Sequence, residues 1–519
     1  EAPHRVGGLL AAVLLGLSLA PPPALSGGSG LHAARVTVDN AARLLPGGPD
    51  AIGGIGDWAL GNGTLCAVIS DAAHESILSA EGGFLVDLGH CDRDDDQFNI
   101  LQPLLNASQE QVPRTREISA QIGSGEARIV TEAVFEGGTF TTTYALDLAD
   151  PNALRIRSEL RRVEDGPRVR ILGEVSMGGD GSLRSFTISP GRPEATVGFA
   201  PPPESPDDFL QMIRAVVPAD LQVWVGGDVL EPGIAYGLRL AAARRVGPDG
   251  ESRELPYFSI NGSDFSLLGL LSRPGWLGGA DGAGLLELAQ ALFMDVGVGD
   301  TLVYEREIRV GSRADVASVT DQIWHDAPRV TGRVDDPSAR LHVDRDDGTP
   351  VTQVRPEPDG SFGFRVPPGS YRLRAVAPGA RALERAFLVG KAGVALEPLS
   401  MGAASRLRLP QGHAMRLVVV GSGATPSPRL GDDLLGFRIG EMQVPSAKLG
   451  NEVSLAGIPG DPEEIVLAPG RYQVYATKGP EYGIHRADLS VGPGEVLPLE
   501  IDAPDRVLTT PGWISADLH

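Results

Sequence analysis

The stretch PPGSYRLRAVA at residues 367–377 carries the pattern that decides the fold of this chain. A Pro-Pro-Gly turn precedes Tyr371, and then Leu373 and Ala375 alternate with arginines, which is the period-two pattern of a strand with one buried face. The same pattern recurs as APGRYQVYATK at 468–478, an offset of 101 residues between the two tyrosines. Because turn, tyrosine and alternation all repeat, the sequence predicts two successive β-sandwich modules.

The two predicted modules follow one another in the second half of the chain. We expect the first at 328–400 and the second at 401–502. In the first, Asp-Gly pairs at 347–348 and 359–360 mark tight turns between short strands, because glycine adopts the positive φ that hairpin turns require.

A larger β-rich region precedes these modules, at 33–315. GDWALGNGTLCAVISD (56–71) alternates around an Asn-Gly turn, and LRIRSELRRV (154–163) and TLVYEREIRV (301–310) alternate cleanly. Many short strands without long helical patterns predict a large antiparallel β-sandwich. The predicted fold class is therefore all-β, a large sandwich followed by two small ones.

The bulk composition supports turns and excludes some partners. The chain has 67 glycines and 42 prolines among 519 residues, which favours many short strands. Its formal net charge is −22, and no long basic cluster occurs. Binding to nucleic acid needs a basic face, so nucleic acid is excluded as an expected partner.

Residues 1–26 have the layout of a secretory signal. Arg5 precedes an apolar run, a proline-rich break follows, and small residues stand before Gly27. The run is short and glycine-rich for a membrane span, so we expect no stable span. The predicted location is exported, either periplasmic or extracellular. Cys66 and Cys91 fit either one disulfide or two buried free thiols.

Two further features have competing interpretations. The acidic run CDRDDDQ contains carboxylates suited to calcium, but it lacks the spacing of a calcium loop, so we expect a solvated acidic turn; its acidic residues are Asp92, Asp94, Asp95 and Asp96. Trp58, Trp276 and Trp324 suit either sugar stacking or, as we expect, anchoring of the core.

Two resemblances to known families extend this interpretation. DGSFGFRVPPGSYRLRAVAPG (359–379) resembles the carboxypeptidase-regulatory or transthyretin-like sandwich. KGPEY (478–482), VGPGE (491–495) and TPGWISADLH (510–519) stand in an order that resembles the approach to the catalytic domain in exported metallohydrolases of the CehA/McbA type. Those enzymes belong to the polymerase-and-histidinol-phosphatase (PHP) superfamily. GDWALGNGTLCAVISD, followed by EGGFLVDLG, is similar to the sandwich that precedes the barrel there.

The second resemblance implies a function for the complete protein. Residues 507–519 would be the first strand of a truncated PHP-type metal-binding barrel, with His519 as a metal ligand and Asp517 orienting the site. The complete protein would bind divalent metal ions such as zinc, manganese or iron. It would cleave an ester, phosphoester or carbamate in a small-molecule or polymer substrate.

In this interpretation the 519-residue chain is a non-catalytic part of that hydrolase. Its partner would be its own C-terminal catalytic domain, and the chain alone would have no catalytic residues, no cofactor and no activity. The alternative is a secreted surface or carbohydrate-binding β-sandwich protein without catalysis, in which His519 has no role.

Overall fold

The computed structural model describes most of the chain, and every structural statement below concerns this described part. Its residues are 30–75, 81–106, 108, 111–166, 169, 172–178, 183–188, 198–199, 221–226, 233–261, 265–272, 290–291, 293–380, 382–428, 430, 448–508 and 511–512. Strands dominate it, and the two helices are short. The predicted all-β fold class is confirmed.

Two large antiparallel sheets form the first body. In spatial order the eight-stranded sheet contains β1 (Leu31–Arg35), β2 (Trp58–Asn62), β3 (Leu65–Ile69), β4 (Leu85–His90), β5 (Phe98–Leu105), β10 (Leu172–Gly178), β17 (Phe265–Leu270) and β16 (Tyr257–Asn261). The ten-stranded sheet contains β12 (Gly198–Phe199), β11 (Arg184–Ile188), β13 (Leu221–Val225), β14 (Ala235–Val246), β18 (Thr301–Gly311), β9 (Ala153–Arg162), β8 (Gly138–Asp147), β7 (Glu126–Phe135) and β6 (Arg114–Ile122), with β15 (Ser252–Glu254) beside β14.

The inner faces of these sheets share one apolar core. Alternate residues of each strand point inward, so Ile129, Ile156 and Ile308 of the ten-stranded sheet meet Leu65 and Leu88 of the eight-stranded sheet. Burial of each such side chain contributes about 1.5–3 kcal/mol. The two sheets therefore form a sandwich.

A tight turn joins β2 to β3, as the sequence predicts. Asn62 Oδ1 accepts the N–H groups of Thr64 and Leu65 at 2.9 and 2.8 Å, while Gly63 takes φ +86°. The amide of Asn62 also donates to the Asp147 carbonyl at 2.9 Å. This buried asparagine thus fixes the hairpin and ties it to β8.

Two small sandwiches follow, which we name module 1 and module 2. Module 1 has a three-stranded sheet of β22 (Ser361–Arg365), β19 (Arg329–Arg333) and β25 (Val394–Ala395), and a four-stranded sheet of β21 (Pro350–Val354), β20 (Arg340–Arg345), β23 (Gly369–Val376) and β24 (Leu383–Val389). Module 2 has a three-stranded sheet of β30 (Glu464–Leu467), β26 (Ser405–Arg408) and β33 (Val496–Pro498), and a five-stranded sheet of β28 (Lys448–Leu449), β29 (Glu452–Ala456), β27 (Ala414–Gly421), β31 (Gly470–Thr477) and β32 (His485–Val491).

The two modules share one topology. In each, the first strand pairs antiparallel with the fourth core strand and parallel with the last one: β19 with β22 and β25, β26 with β30 and β33. The extra β28 lies at the edge of module 2. The repeat seen in the sequence is therefore a repeat of the fold.

A buried helix joins the large sandwich to module 1. The short α1 (Ala41–Leu44) lies near β2, whereas α2 (Ala317–Ile323) lies between the two bodies. Val319 contacts the apolar cluster beneath β13 and β14, and Ala317 belongs to the core of module 1. Thr320 and Thr352 share a hydrogen bond of 2.8 Å across the junction.

Module 2 covers the hairpin loop at the end of module 1. Gly379 has φ +67°, and a Cβ at this position would lie 2.2 Å from Val466 Cγ1. Ser405 N–H donates to the Gly379 carbonyl at 3.1 Å. The close approach requires glycine at this position, and it fixes the contact between the modules.

Candidate functional site

The two residues that the family resemblance implies for the metal site, Asp517 and His519, lie outside the described residues, as do residues 1–26. Within the described ranges, no group of three or more His, Cys, Asp or Glu residues is arranged to hold a metal ion.

The segment that leads toward His519 is fastened to module 2. The carbonyl of Glu481 accepts the N–H groups of Val507 and Leu508 at 2.8 and 3.1 Å. Gly483 N–H donates to the carbonyl of Asp505 at 2.9 Å. The side chains of Glu481 and Arg506 form an ion pair of 2.7 Å. The loop that contains KGPEY thus holds the chain at 505–508.

A cation contact stiffens the same loop. The Lys478 Nζ lies 5.1 Å from the centroid of the Tyr482 ring, within the range of a cation–π interaction. Tyr482 also forms a β-bridge with Arg506. Lys478, Glu481 and Tyr482 of the KGPEY sequence therefore all contribute to positioning the outgoing segment at 505–508.

Cys66 and Cys91 form a disulfide with 4.9 Å between their Cα atoms. The bond joins β3 to the first residue of the acidic run CDRDDDQ. Cys91 N–H also donates to the Thr64 carbonyl at 2.9 Å. The acidic run is thus fixed at its start to the β2–β3 hairpin.

The expectation that the acidic run is a solvated turn is wrong for its second half. Asp92 and Asp94 are exposed, but Asp95 and Asp96 are fully buried. Both carboxylates accept hydrogen bonds from main-chain N–H groups, which offsets part of the cost of burying them. The run is therefore an exposed turn in its first half and a buried one in its second half.

Asp95 connects three parts of the large sandwich. It accepts the His90 N–H at 2.9 Å and contacts His90 Nδ1 at 2.7 Å. Arg93 Nε lies 3.2 Å from the same carboxylate, and the Arg93 guanidinium donates to the carbonyls of Gly233 and Ser312. The buried charge is therefore paired, and the turn is linked to the ten-stranded sheet.

Asp96 is surrounded by main chain and by Tyr236. Its Oδ1 accepts the N–H groups of Leu88 and Phe98 at 2.9 and 3.1 Å, while the Tyr236 hydroxyl donates to the Leu88 carbonyl at 2.8 Å. Burial, together with the nearby charge of Asp87, raises the pKa of Asp96 well above its usual range. Burial therefore favours the protonated form of Asp96.

Asp87 closes the glycine-rich loop before β2. Its two oxygens accept the N–H groups of Ile52 and Gly53, each at 2.9 Å. Burial, together with the negative charge of Asp57, raises the pKa of Asp87 to about 6. A group with this pKa changes its charge within the mildly acidic range.

His74 and Asp57 form a pair in which the histidine is partly exposed and the carboxylate is buried. His74 Nδ1 lies 2.9 Å from both Asp57 oxygens, and the same carboxylate accepts the N–H groups of Gly54 and Asp71 at 2.8 and 2.7 Å. An imidazole held by a carboxylate is the arrangement of a general base. Here the same contacts also hold the loop at 54–57, so the pair has a structural role in the described fold.

Sequence reasoning missed these pairs. Asp57 and His74 are 17 positions apart, and Asp87 meets its N–H donors 34 and 35 positions away. The sequence did contain one indication: Asp57 precedes β2 and Asp71 follows β3, so both residues lie at the same end of two neighbouring strands. The predicted hairpin alone does not indicate that His74 lies beside Asp57.

Two of the three tryptophans considered above fall in the described residues. Trp58 is half-buried against the core of the large sandwich, and Trp324 packs against the core of module 1. Both act as core anchors, as expected, and Trp276 lies outside the described residues.

No helix of the described chain has the length and apolar character needed to span a membrane.

Comparisons with known proteins identify similar architectures at low identity. No protein-family model and no curated protein matches the chain. Among solved structures, the Slr1438 protein from Synechocystis sp. PCC 6803 is 9% identical, with a TM-score of 0.27, and the match covers 50% of this chain and 96% of that one.

Two further solved structures have the same extent of match. A galactose mutarotase related enzyme from Lactobacillus acidophilus is 10% identical with a TM-score of 0.24, covering 50% of this chain and 98% of its own. A galactose mutarotase-like protein from Lactobacillus casei has the same identity and TM-score, covering 49% and 99%. Similarity at this level carries no argument about the function of this chain.

Proposed function

We propose that this chain is the non-catalytic β-domain part of an exported metal-dependent hydrolase of the CehA/McbA type. The catalytic barrel of that enzyme would begin within 507–519. His519 would be one of its metal ligands, and Asp517 would orient the site. The three β-sandwiches would support the barrel and fix its position relative to the large sandwich.

The observation that carries this proposal is the attachment of residues 505–508 to the KGPEY loop. Two N–H groups from this segment share the Glu481 carbonyl, and Arg506 pairs with the Glu481 side chain. A segment that leads into a catalytic strand needs such a fixed starting point, because displacement of a ligand by about 1 Å lowers activity strongly. The sequence resemblance supplies the identity of the strand itself.

The metal would supply the chemistry of the reaction. A divalent ion lowers the pKa of bound water and polarises the bond that is cut. Three protein ligands are usual for a catalytic metal ion, so His519 alone is insufficient. The role proposed for this chain is to hold one ligand in place and to support the domain that provides the others.

The test compares the 519-residue chain with the complete gene product. Metal content is measured by mass spectrometry, and hydrolysis is measured with p-nitrophenyl acetate, bis-p-nitrophenyl phosphate and a p-nitrophenyl carbamate. We expect the complete protein to hold divalent metal and to cleave one of these esters, whereas the 519-residue chain cleaves none.

In the complete protein, His519→Ala should lower bound metal and reduce kcat by about 100-fold or more. His413→Ala is the matched control, since His413 is an exposed histidine of module 2. A gene that ends at residue 519, hydrolysis by the 519-residue chain alone, or full metal content in His519→Ala would each contradict the proposal.

A further inference from the structure

A glycine-rich segment lies against the eight-stranded sheet just before β2. Its sequence at 50–56 is DAIGGIG, and we name it the strap. Gly53 rests directly on the sheet, because a Cβ at this position would lie 2.4 Å from Asp87 Oδ2 and 2.8 Å from Val68 Cγ1. Val68 pairs with Asp87 across β3 and β4, and both are fully buried. The strap therefore covers an apolar side chain and a carboxyl group of two neighbouring strands.

The two ends of the strap are held by the main chain. At one end, the Asp50 N–H donates to the Asp96 carbonyl at 3.3 Å. At the other end, the Gly56 N–H donates to the Val36 carbonyl at 3.0 Å. These bonds do not depend on the charge of a side chain.

The middle of the strap is held by carboxylates. The N–H groups of Ile52 and Gly53 each donate to one oxygen of Asp87 at 2.9 Å. The next N–H group, that of Gly54, donates to Asp57 Oδ2 at 2.8 Å. Successive main-chain N–H groups that converge in this way bind anions. The closure of the strap therefore depends on the charge state of these two carboxyl groups.

The carboxyl groups beneath the strap lie close enough to influence one another. Asp57, Asp87 and Asp96 are all buried, and Asp87 is acted on by the charge of Asp57 and itself acts on Asp96. Asp96 Oδ2 is buried and has no hydrogen-bond partner among the described residues. Ionising all of these groups together is costly, because each is removed from water and repelled by its neighbours.

The positive side chains around this cluster are paired with other carboxylates. These pairs are His74 with Asp57 at 2.9 Å, Arg35 with Asp71 at 3.5 Å, and Arg93 with Asp95 at 3.2 Å. The carboxylate of Asp50 and the hydroxyl of Tyr236 also face Asp96. In the described part of the chain, neither Asp87 nor Asp96 forms an ion pair, so no such pair offsets the cost of charging them.

The titration of Asp87 sets the direction of the pH effect. Burial, together with the charge of Asp57, raises the pKa of Asp87 to about 6, against the opposite effects of the Ile52 and Gly53 N–H groups and of a positive His74. An aspartate exposed to water has a pKa of about 4. The closed strap therefore binds a proton more tightly than an open one, and the closed form is favoured as the pH falls below about 6.

We propose that the strap at 50–56 closes tightly over Val68 in mild acid and loosens as the pH rises to neutrality. The neutral carboxyl group of Asp87 is not repelled by Asp57, and its oxygens still accept hydrogen bonds. The ionised group is buried beside another negative charge, which favours release of the N–H groups at 52–54. This switch belongs to the large sandwich and does not rest on the proposed metal chemistry.

Hydrogen exchange of the 519-residue chain at pH 5 and pH 7.5 tests the switch. Mass spectrometry of overlapping peptides would measure protection at Ile52 and Gly53, after correction for the intrinsic effect of pH. We expect this protection to be about tenfold lower at pH 7.5 than at pH 5. The Ser361 N–H is the internal reference, since it donates at 2.9 Å to exposed Asp359, whose pKa is lowered by that residue. Its protection should be equal at both pH values.

Asp87→Asn removes the titrating group, so protection at 52–53 should become independent of pH. Asp92→Asn is the matched control, because Asp92 is an exposed residue of the nearby acidic run, and it should keep the tenfold change. Circular dichroism establishes that each variant is folded.

Three outcomes would overturn the switch. They are equal protection of the strap at both pH values in the unmodified chain, greater protection at pH 7.5, and a tenfold change that persists in Asp87→Asn. The first two need no variant, so the test stands even if Asp87→Asn does not fold. Metal content and hydrolysis do not enter it, and this proposal and the proposed function fail separately.

Discussion

His342 lies at the contact between the large sandwich and module 1. It lies on β20, and its ring centroid is 5.9 Å from that of Phe199 on β12. Burial, together with the charges of Arg374 and Arg340, lowers the pKa of His342 to about 4. The histidine is therefore neutral in the folded protein over most of the pH range.

The shifted pKa of His342 predicts a loss of stability in mild acid. Below pH 6.5 the unfolded chain binds a proton at this histidine, whereas the folded chain does not until about pH 4, so stability falls as pH decreases through that window. At about 1.4 kcal/mol per pH unit, this residue removes ~2 kcal/mol between pH 7.5 and 5.

His342→Phe should abolish this contribution. The unfolding free energy of the variant minus that of the unmodified protein should therefore be ~2 kcal/mol higher at pH 5 than at pH 7.5. Urea unfolding at the two pH values measures the difference. Exposed His325→Phe is the control and should leave the pH dependence as it is. Equal pH dependence in His342→Phe and the unmodified protein would argue against a neutral His342 in the folded protein.

At the same scale, the sequence predicts local contacts and misses distant ones. The Asn62 turn follows from the Asn-Gly pair, because the side chain bonds to N–H groups two and three positions away. The burial of Asp95 and Asp96 could not be predicted, since it depends on N–H groups and on Tyr236, which is 140 positions from Asp96. The charges of the run CDRDDDQ, taken alone, indicate a solvated turn.

Among the elements, β23 and β31 are built in the same way. The Tyr371 hydroxyl donates to the Pro367 carbonyl at 2.7 Å, and the Tyr472 hydroxyl donates to the Ala468 carbonyl at the same distance. Each tyrosine ring is buried in its module core. The hydrogen bond closes the turn that precedes the strand, so the repeated tyrosine has a repeated structural role.

Loss of either hydroxyl should have the same energetic effect. Tyr472→Phe keeps the buried ring but leaves the Ala468 carbonyl without this donor, which should lower the unfolding free energy by about 1 kcal/mol. Tyr371→Phe serves as the matched variant in module 1 and should give an equal loss. Guanidinium unfolding measures both. A loss in one module only would mean that the two turns are not equivalent.

Element prediction succeeded where a pattern repeats or alternates. The strands predicted at 154–163 and 301–310 correspond to Ala153–Arg162 and Thr301–Gly311. The parallel pairing of β19 with β25 was beyond prediction, because β25 has two residues and its partner lies more than 60 positions earlier. A strand so short has no period from which to recognise it.

For the whole molecule, α2 is one of the links between the large sandwich and module 1. Asp315, just before the helix, is fully buried. It accepts Ser318 N–H at 2.7 Å and, from module 1, Arg355 N–H at 3.0 Å. Asp321 on the helix accepts Arg365 N–H at 2.6 Å. Two carboxylates thus bind the main chain of module 1.

Removal of the first carboxylate should loosen this junction. Asp315→Ala removes the buried carboxylate that accepts Arg355 N–H and pairs with Arg313, which should lower stability by about 3 kcal/mol. It should also split thermal unfolding into two transitions, one for each body. Differential scanning calorimetry tests this, with exposed Asp346→Ala as a control within about 0.5 kcal/mol. A single unshifted transition would contradict the linkage.

The packing of the large sandwich against module 1 was the least predictable feature of the fold. Residues 312–328 read only as a change of pattern between two β regions, and no local signal shows that the helix there is buried on two sides. That burial depends on Val319 meeting one core and Ala317 another, which are contacts between distant parts of the chain.

The pairing of Cys66 with Cys91 has a practical consequence for following these bodies in solution. The chain has only two cysteines, and both are engaged in that bond. A cysteine introduced at any surface position would then be the sole reactive thiol under non-reducing conditions. In this 519-residue chain, fluorescent dyes could be attached at pairs of introduced cysteines, and distances between the sandwiches could be followed one molecule at a time.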